Sequence, residues 1–274
     1  MYEQILYEVT EPAAVITLNR PKQLNAWTDR MGAEVKHALA QAEADKRVVA
    51  IVITGAGRGF CAGADMFLLK SISEGGAQEQ IPEELIGAAP GDAAMGDAFR
   101  GTYTYLLSIR KPIIAAINGP VAGMAIPIVA CCDMRFAGSE ASFMTAFARR
   151  GLIAEWGASW ILPRLLGPAH ALDLLMSSRK IDAAEAARIG LVNRVVPDTE
   201  LMAHTLHYVA ELAASCSPTS MMIMKRQVYQ HLTADLGAAE REAVGLMLDS
   251  FKRPDFREGV VSFLEKRPPK FQRV

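Results

Sequence analysis

The run Val48-Val49-Ala50-Ile51-Val52-Ile53-Thr54, followed at once by Gly55-Ala56-Gly57-Arg58-Gly59-Phe60-Cys61-Ala62-Gly63-Ala64-Asp65, decides how the rest of the chain is read. Seven consecutive apolar or β-branched residues suit a strand buried on both faces, and Gly55 ends it. Upstream, Thr28 is placed to cap a helix in which Met31, Val35, Leu39 and Ala42 recur at helical spacing, with Glu34, Lys36, Glu43 and Asp45 on its polar side. Two β-rich runs, 5–9 and 14–18, are split by Thr10-Glu11-Pro12 and read as a strand pair. Downstream, 68–97 contains Gly75-Gly76, Pro82 and Ala88-Ala89-Pro90-Gly91 and reads as a long loop with short helical pieces. A helix through Tyr105 and Leu107, a strand over 113–117, a turn at Asn118-Gly119-Pro120, a small-residue helix and a strand over 134–137 follow. From about Thr199 the pattern is helical only, over 201–214, 218–232, 236–251 and 256–265. The chain is therefore expected to be α/β over 1–197 and all-helical over 198–274.

The 274 residues include 51% hydrophobic and 22% charged side chains with a net charge of −1, which excludes the strong basic excess of a nucleic-acid binder. Residues 112–132 carry no charge, yet Asn118, Gly119, Pro120, Gly123 and Pro127 punctuate them, so a buried core segment is expected in place of a membrane span. Four cysteines without metal-ligand spacing, and no secretory signal pattern at Met1-Tyr2-Glu3-Gln4, point to a reducing cytoplasm.

Two glycine-bearing segments suit a backbone that approaches a ligand closely. Residues 55–65 do not match the dinucleotide-binding spacing, and by themselves stand equally for a mobile surface turn. In Asn118-Gly119-Pro120-Val121-Ala122-Gly123-Met124-Ala125 a turn feeds an apolar helix, whose first N–H groups lack intrahelical acceptors and suit a developing anion. Tight packing of small residues accounts for the same pattern.

With their surroundings these segments resemble the enoyl-CoA hydratase/isomerase family, the crotonase superfamily. The resemblance runs from Leu18-Asn19-Arg20-Pro21-Lys22-Gln23-Leu24-Asn25-Ala26 through residues 60–65, 118–123 and Cys132-Asp133-Met134-Arg135-Phe136-Ala137. It continues through Leu162-Pro163-Arg164-Leu165-Leu166-Gly167 and residues 186–197 to 258–269. It implies a crotonase-like spiral of ββα units with a C-terminal helical trimerisation region. It also implies an acyl-CoA substrate, no metal or separate cofactor, and a homotrimer or homohexamer. The matching oxyanion donors are the N–H groups of Ala62 and Met124. The positions expected along CoA are Lys22, Leu24, Ala64, Asp65 and Met66, with Phe263 and Lys266 reaching it from the last helix.

Family hydratases use two glutamates, whose places fall here at Pro127 and Phe147; neither side chain transfers a proton. One carboxylate stands in Gly151-Leu152-Ile153-Ala154-Glu155-Trp156-Gly157, where the similar 3-enoyl-CoA isomerases carry their catalytic acid. Glu155 is thus expected to move a proton from C2 to C4 of a 3-enoyl thioester, with neighbouring apolar groups raising its pKa. A solvated glutamate at a helix start is the plain alternative. Two further readings stay open: a hydratase using Glu155 with an unidentified second group, and a catalytically silent acyl-CoA-binding member. His204 and His207 have no third ligand and read as a solvated face, and Cys131-Cys132 as small buried residues of the apolar helix. Met221-Met222-Ile223-Met224 suits either an oligomer contact or intrachain core.

Overall fold

The computed structural model describes residues 2–75 and 80–274, and Gly76 of the loop reading lies outside them. β1 (Ile5–Thr10) and β2 (Ala13–Leu18) form the antiparallel pair expected from their alternation. α1 (Asp29–Ala44) starts where Thr28 Oγ1 accepts the Met31 N–H at 3.1 Å. β3 (Ala50–Gly55) is buried along its whole length and lies parallel between β2 and β4 (Ile113–Ile117). Beyond β4 the sheet continues through β6 (Met134–Gly138) to β9 (Arg194–Val196), in the order β1-β2-β3-β4-β6-β9.

Both faces of this sheet are covered, which is why β3 carries no polar alternation. Ile51 and Ile53 join α1 and the larger core, while Ala50 and Val52 face α8 (Leu201–Ser215) through Leu201 and Val209. The terminal region therefore begins with a helix that belongs to the packing of the sheet. α9 (Pro218–His231) is tied down by Asp133, whose carboxylate takes Lys225 Nζ at 2.7 Å, Tyr229 Oη at 2.9 Å and the β4 Ile113 N–H at 2.7 Å. α10 (Leu236–Ser250) and α11 (Pro254–Leu264) follow and leave Val244, Met247, Leu248, Phe251, Phe256 and Val260 exposed.

A second sheet is built from β5 (Val121–Ala122), β7 (Ser142–Met144) and β8 (Ile181–Asp182), with β5 and β7 following β4 and β6 of the first along the chain. Along the chain α4 (Ala125–Ala130), α5 (Ala158–Leu166) and α6 (Pro168–Ser177) lie between these strands, and α7 (Ala183–Arg188) follows β8. Residues 66–99 hold α2 (Met66–Ser73), α3 (Glu83–Ile86) and two short 3₁₀ turns, matching the expected loop with helical pieces.

Three expectations change. The helix through Tyr105 and Leu107 is a 3₁₀ turn, Thr104–Ser108, hemmed in by Gly101 and by Pro112, which disfavours helical backbone at Lys111. Cys131 and Cys132 lie just past the end of α4 and are buried. Glu34 and Glu43 are buried and not on a solvated side of α1. Glu34 accepts the N–H groups of Glu3 and Gln4 and the Nε of Arg30, and Glu43 accepts those of Gly91 and Arg110, so each charge is paired where it is desolvated. Among the described residues no helix is long and apolar enough to cross a membrane.

Candidate active site

The loop after β3 is knitted into the fold by two asparagines, which removes the reading as a mobile turn. Asn25 donates to the carbonyls of Ala56 and Gly59 at 2.9 and 2.8 Å, and its Oδ1 accepts the Arg20 N–H at 2.9 Å. Asn118, after β4, donates to Gly55 O at 2.8 Å and Gly57 O at 3.0 Å while accepting the Gly55 N–H at 3.1 Å. Beyond the loop, Cys61 bridges to Val121 and Ala64 to Trp27, so the segment is held from both sides.

Gly63 sets the direction of the main-chain donors. Cys61 N–H bonds Pro120 O and Ala62 N–H bonds Leu24 O at 3.0 Å, the alternation of an extended segment. Continued regularly, Ala64 would again face residues 24–27. At Gly63 φ is +96°, however, and the alternation inverts: Asp65 N–H bonds Trp27 O at 2.9 Å. Among the described residues the Ala64 N–H has no acceptor, nor has that of Met124, which precedes α4 behind Gly123 at φ +53°. A Cβ on Gly63 would stand 2.8 Å from Ala122 O and 3.6 Å from Gly123 Cα, so the two segments meet backbone to backbone. The expectation for Ala62 is corrected accordingly. Its N–H is spent on Leu24, whereas the Ala64 N–H, in the cavity lining, has no acceptor among the described residues.

A cavity of about 530 Å³ opens here, lined on one wall by Ala62, Gly63, Ala64, Asp65 and Met66 with Met124 beside them. Residues 144–156 supply the other wall through Phe147, Arg150, Leu152, Glu155 and Trp156. Glu155 sits in the turn before α5; among the described residues its carboxylate has no hydrogen-bond or ion-pair partner, and partial desolvation raises its pKa above the usual carboxylate range. The turn is held by Trp156 at φ +49° and Gly157 at φ +80°. The Trp156 ring packs edge-on against Tyr103 at 5.8 Å, which packs in the same way on Trp27 at 5.8 Å.

The expected hydratase positions offer no acid. Phe147 is buried and lines the cavity, and Pro127 is the third residue of α4, where a missing N–H costs nothing. Asp65, the other carboxylate of the lining, is committed: Arg20 Nη1 stands 2.8 Å from its Oδ2 and the Phe67 N–H bonds its Oδ1 at 2.8 Å. Desolvation pushes the thiol of Cys61 up to about 12, so this buried cysteine is no nucleophile at neutral pH.

Of the positions expected along CoA, Ala64, Asp65 and Met66 line the cavity. Lys22 is exposed on the turn Pro21–Gln23, and Leu24, at φ +50°, serves the loop through its carbonyl; neither lines the cavity. Phe263, 82% exposed, and Lys266 lie at the end of α11, outside the lining. His204 packs on Phe136 and contacts Arg194, and His207 is near Glu211, so the two histidines do not converge. Trp156 lines the cavity beside Glu155, as expected of a neighbouring apolar group, whereas Arg150 is a cavity residue that the pattern did not single out. The signal was the Arg149-Arg150 pair immediately ahead of the Glu155 motif.

Residues 8–273 match the family Enoyl-CoA hydratase/isomerase, and the chain belongs to it. It is 33% identical to crotonyl-CoA hydratase of Syntrophomonas wolfei, over 98% of each chain, and 31% identical to 1,2-epoxyphenylacetyl-CoA isomerase of Escherichia coli, over 99% of each. Among solved structures it is similar to enoyl-CoA hydratase from Bacillus anthracis, with a TM-score of 0.84 and 28% identity over 98% of this chain and 99% of that one. The mixed α/β architecture with its terminal helices is the crotonase fold.

Proposed function

We propose that this enzyme moves the double bond of a 3-enoyl-CoA to the 2-position with Glu155 as the single proton carrier. The observation that carries the reading is a partly desolvated carboxylate without a partner among the described residues, in the same cavity as the N–H groups of Ala64 and Met124, which have no acceptor there. The thioester oxygen sits against the N–H groups of Ala64 and Met124. Glu155 removes a C2 proton, the negative charge spreads over the dienolate and onto that oxygen, and the same carboxyl returns the proton at C4. Each main-chain donor is worth about 2.7–4 kcal/mol to the anionic state. An apolar wall including Phe147, Leu152 and Trp156 keeps water from the dienolate.

The CoA portion leaves past Ala64 and Met66, with Lys22 next in the chain to Gln23, which also lines the cavity. A homotrimer or homohexamer built on the exposed apolar face of α10 and α11 brings Phe263 and Lys266 into the role of CoA contacts, Lys266 with charge for phosphate and Phe263 with an aromatic face. Hydration is the second reading, favoured by the name of the Syntrophomonas wolfei relative, and it requires a second proton-transferring group that neither Phe147 nor Asp65 supplies.

The test is turnover of a 3-enoyl-CoA and of a 2-enoyl-CoA by the parent and by Glu155→Gln. Isomerisation gives a product of unchanged mass from the 3-enoyl substrate, slowed about 10²- to 10⁴-fold in the variant. A water-sized mass gain from the 2-enoyl substrate replaces this reading by hydration, and thioester binding without turnover of either replaces it by a silent acyl-CoA binder.

A further inference from the structure

We infer that Arg150 selects acyl-CoA substrates whose acyl chain ends in a carboxylate. Arg150 closes the 3₁₀ turn Ala148–Arg150 and lines the cavity on the same wall as Glu155. Among the described residues it is the one cationic side chain of that lining, and its guanidinium has neither an ion-pair nor a hydrogen-bond partner among them. Arg20 at the same cavity is, by contrast, ion-paired with Asp65 at 2.8 Å. Glu155 is not its partner: among the described residues no hydrogen bond or ion pair joins the two side chains. The cavity thus combines an apolar surface, a partly desolvated carboxylate and an exposed guanidinium that no acidic side chain among the described residues neutralises.

The position along the wall supplies the ligand chemistry. This inference rests on the proposed role of Glu155, which must face the C2–C4 carbons of the substrate; the 144–156 wall is then the acyl wall. Phe147 and Leu152 flank Arg150 on it, so an aliphatic segment crosses apolar surface before an anionic end meets the guanidinium. A carboxylate accepts two parallel N–H bonds from that fork, a geometry a methyl terminus cannot use. Arg150 is also exposed enough at the rim for a CoA phosphate to supply the same chemistry, and the test separates the two sources.

Calorimetric binding of saturated, unreactive thioesters reads the selection without any turnover: a CoA monothioester of a dicarboxylic acid against the methyl-terminated thioester of equal length. The parent is expected to bind the carboxylate-ended ligand at least about tenfold more tightly, with the preference lost in Arg150→Gln and partly kept in Arg150→Lys. Equal or tighter parent binding of the methyl-terminated ligand overturns the inference. So does an equal loss for both thioesters and for free CoA in Arg150→Gln, which assigns the guanidinium to phosphate. Retained binding of the methyl-terminated ligand by the variants shows that their sites are folded. Because no reaction is involved, a preference that stands while 3-enoyl-CoA is not isomerised removes the proposed reaction alone.

Discussion

The two walls of the cavity are built on opposite principles. On the 61–66 and 122–124 side the groups proposed to act are main-chain N–H groups, set by the left-handed turn at Gly63 and by its close approach to Ala122 and Gly123. On the 144–156 side they are side chains, Glu155 and Arg150, carried by turns that precede α5. The first wall tolerates changes of side chain at its donor positions and is intolerant of any change in backbone path. On the second, one side chain changes the chemistry while the fold is untouched. Oxyanion binding is the demand shared by reactions that pass through an enolate, whereas the number and place of proton carriers separate those reactions. The division lets one rigid wall serve many chemistries written on the other.

The comparison is tested most severely at the seam of the backbone wall. Gly63→Ala places a Cβ against Ala122 O and asks a non-glycine residue to hold φ near +96°, so the segments separate and Ala64 N–H loses its aim. Turnover is expected to fall by at least about 10²- to 10³-fold, the effect of one lost oxyanion donor, with a stability loss above about 1 kcal/mol in chemical denaturation. Retained turnover in that variant removes the backbone wall from the mechanism.

A finer cut separates Ala64 from Ala62. Replacing Ala64 by its α-hydroxy analogue turns the N–H into an ester oxygen, and steady-state kinetics should show a fall of about 10²- to 10³-fold in kcat. The same exchange at Ala62 removes only the hydrogen bond to Leu24 O, so about 0.5–1.5 kcal/mol of stability is lost and kcat stays within a few-fold of the parent. The reverse ranking would return the oxyanion role to Ala62.

Legibility in the sequence follows the range of the physics involved. The strands at 50–55 and 113–117 and the four terminal helices were readable because their periodicity is local and sustained over a strand or several turns. β5 and β8 are two residues each, too short to carry a period. Glu34 and Glu43 looked solvated because a helical pattern sees only their polarity; the N–H groups that allow their burial come from residues 3–4, 91 and 110. The loop motif marked a segment that lines the cavity but chose Ala62, whose N–H is already bonded to Leu24 O. The inversion at Gly63 is a backbone angle, and the claim on the Ala62 N–H comes from Leu24, remote along the chain. Glu155 stood out only through its position in a family pattern, since an isolated glutamate before a helix has no signature of its own.

The side-chain wall is sharpened by pH, through the raised pKa of Glu155. As the base it must be ionised, so the acid limb of kcat should lie above the range of an ordinary glutamate and fall about tenfold per pH unit below it. Glu155→Gln should abolish that limb together with most of the rate.

The smallest expected effect is on stability and has the opposite sense. Burial favours the protonated carboxyl, so the folded state binds this proton more tightly than the unfolded state. The favourable contribution is present below the unfolded pKa and is lost as pH rises through the folded one, leaving a partly desolvated charge at neutral pH. Thermal unfolding of Glu155→Gln at pH 7 should therefore give a Tm at or slightly above that of the parent, with the gap closing as pH falls through the acid limb. A lower Tm at pH 7 would mean that the carboxylate holds the 155–157 turn together, and the two walls would then differ less than their geometry implies.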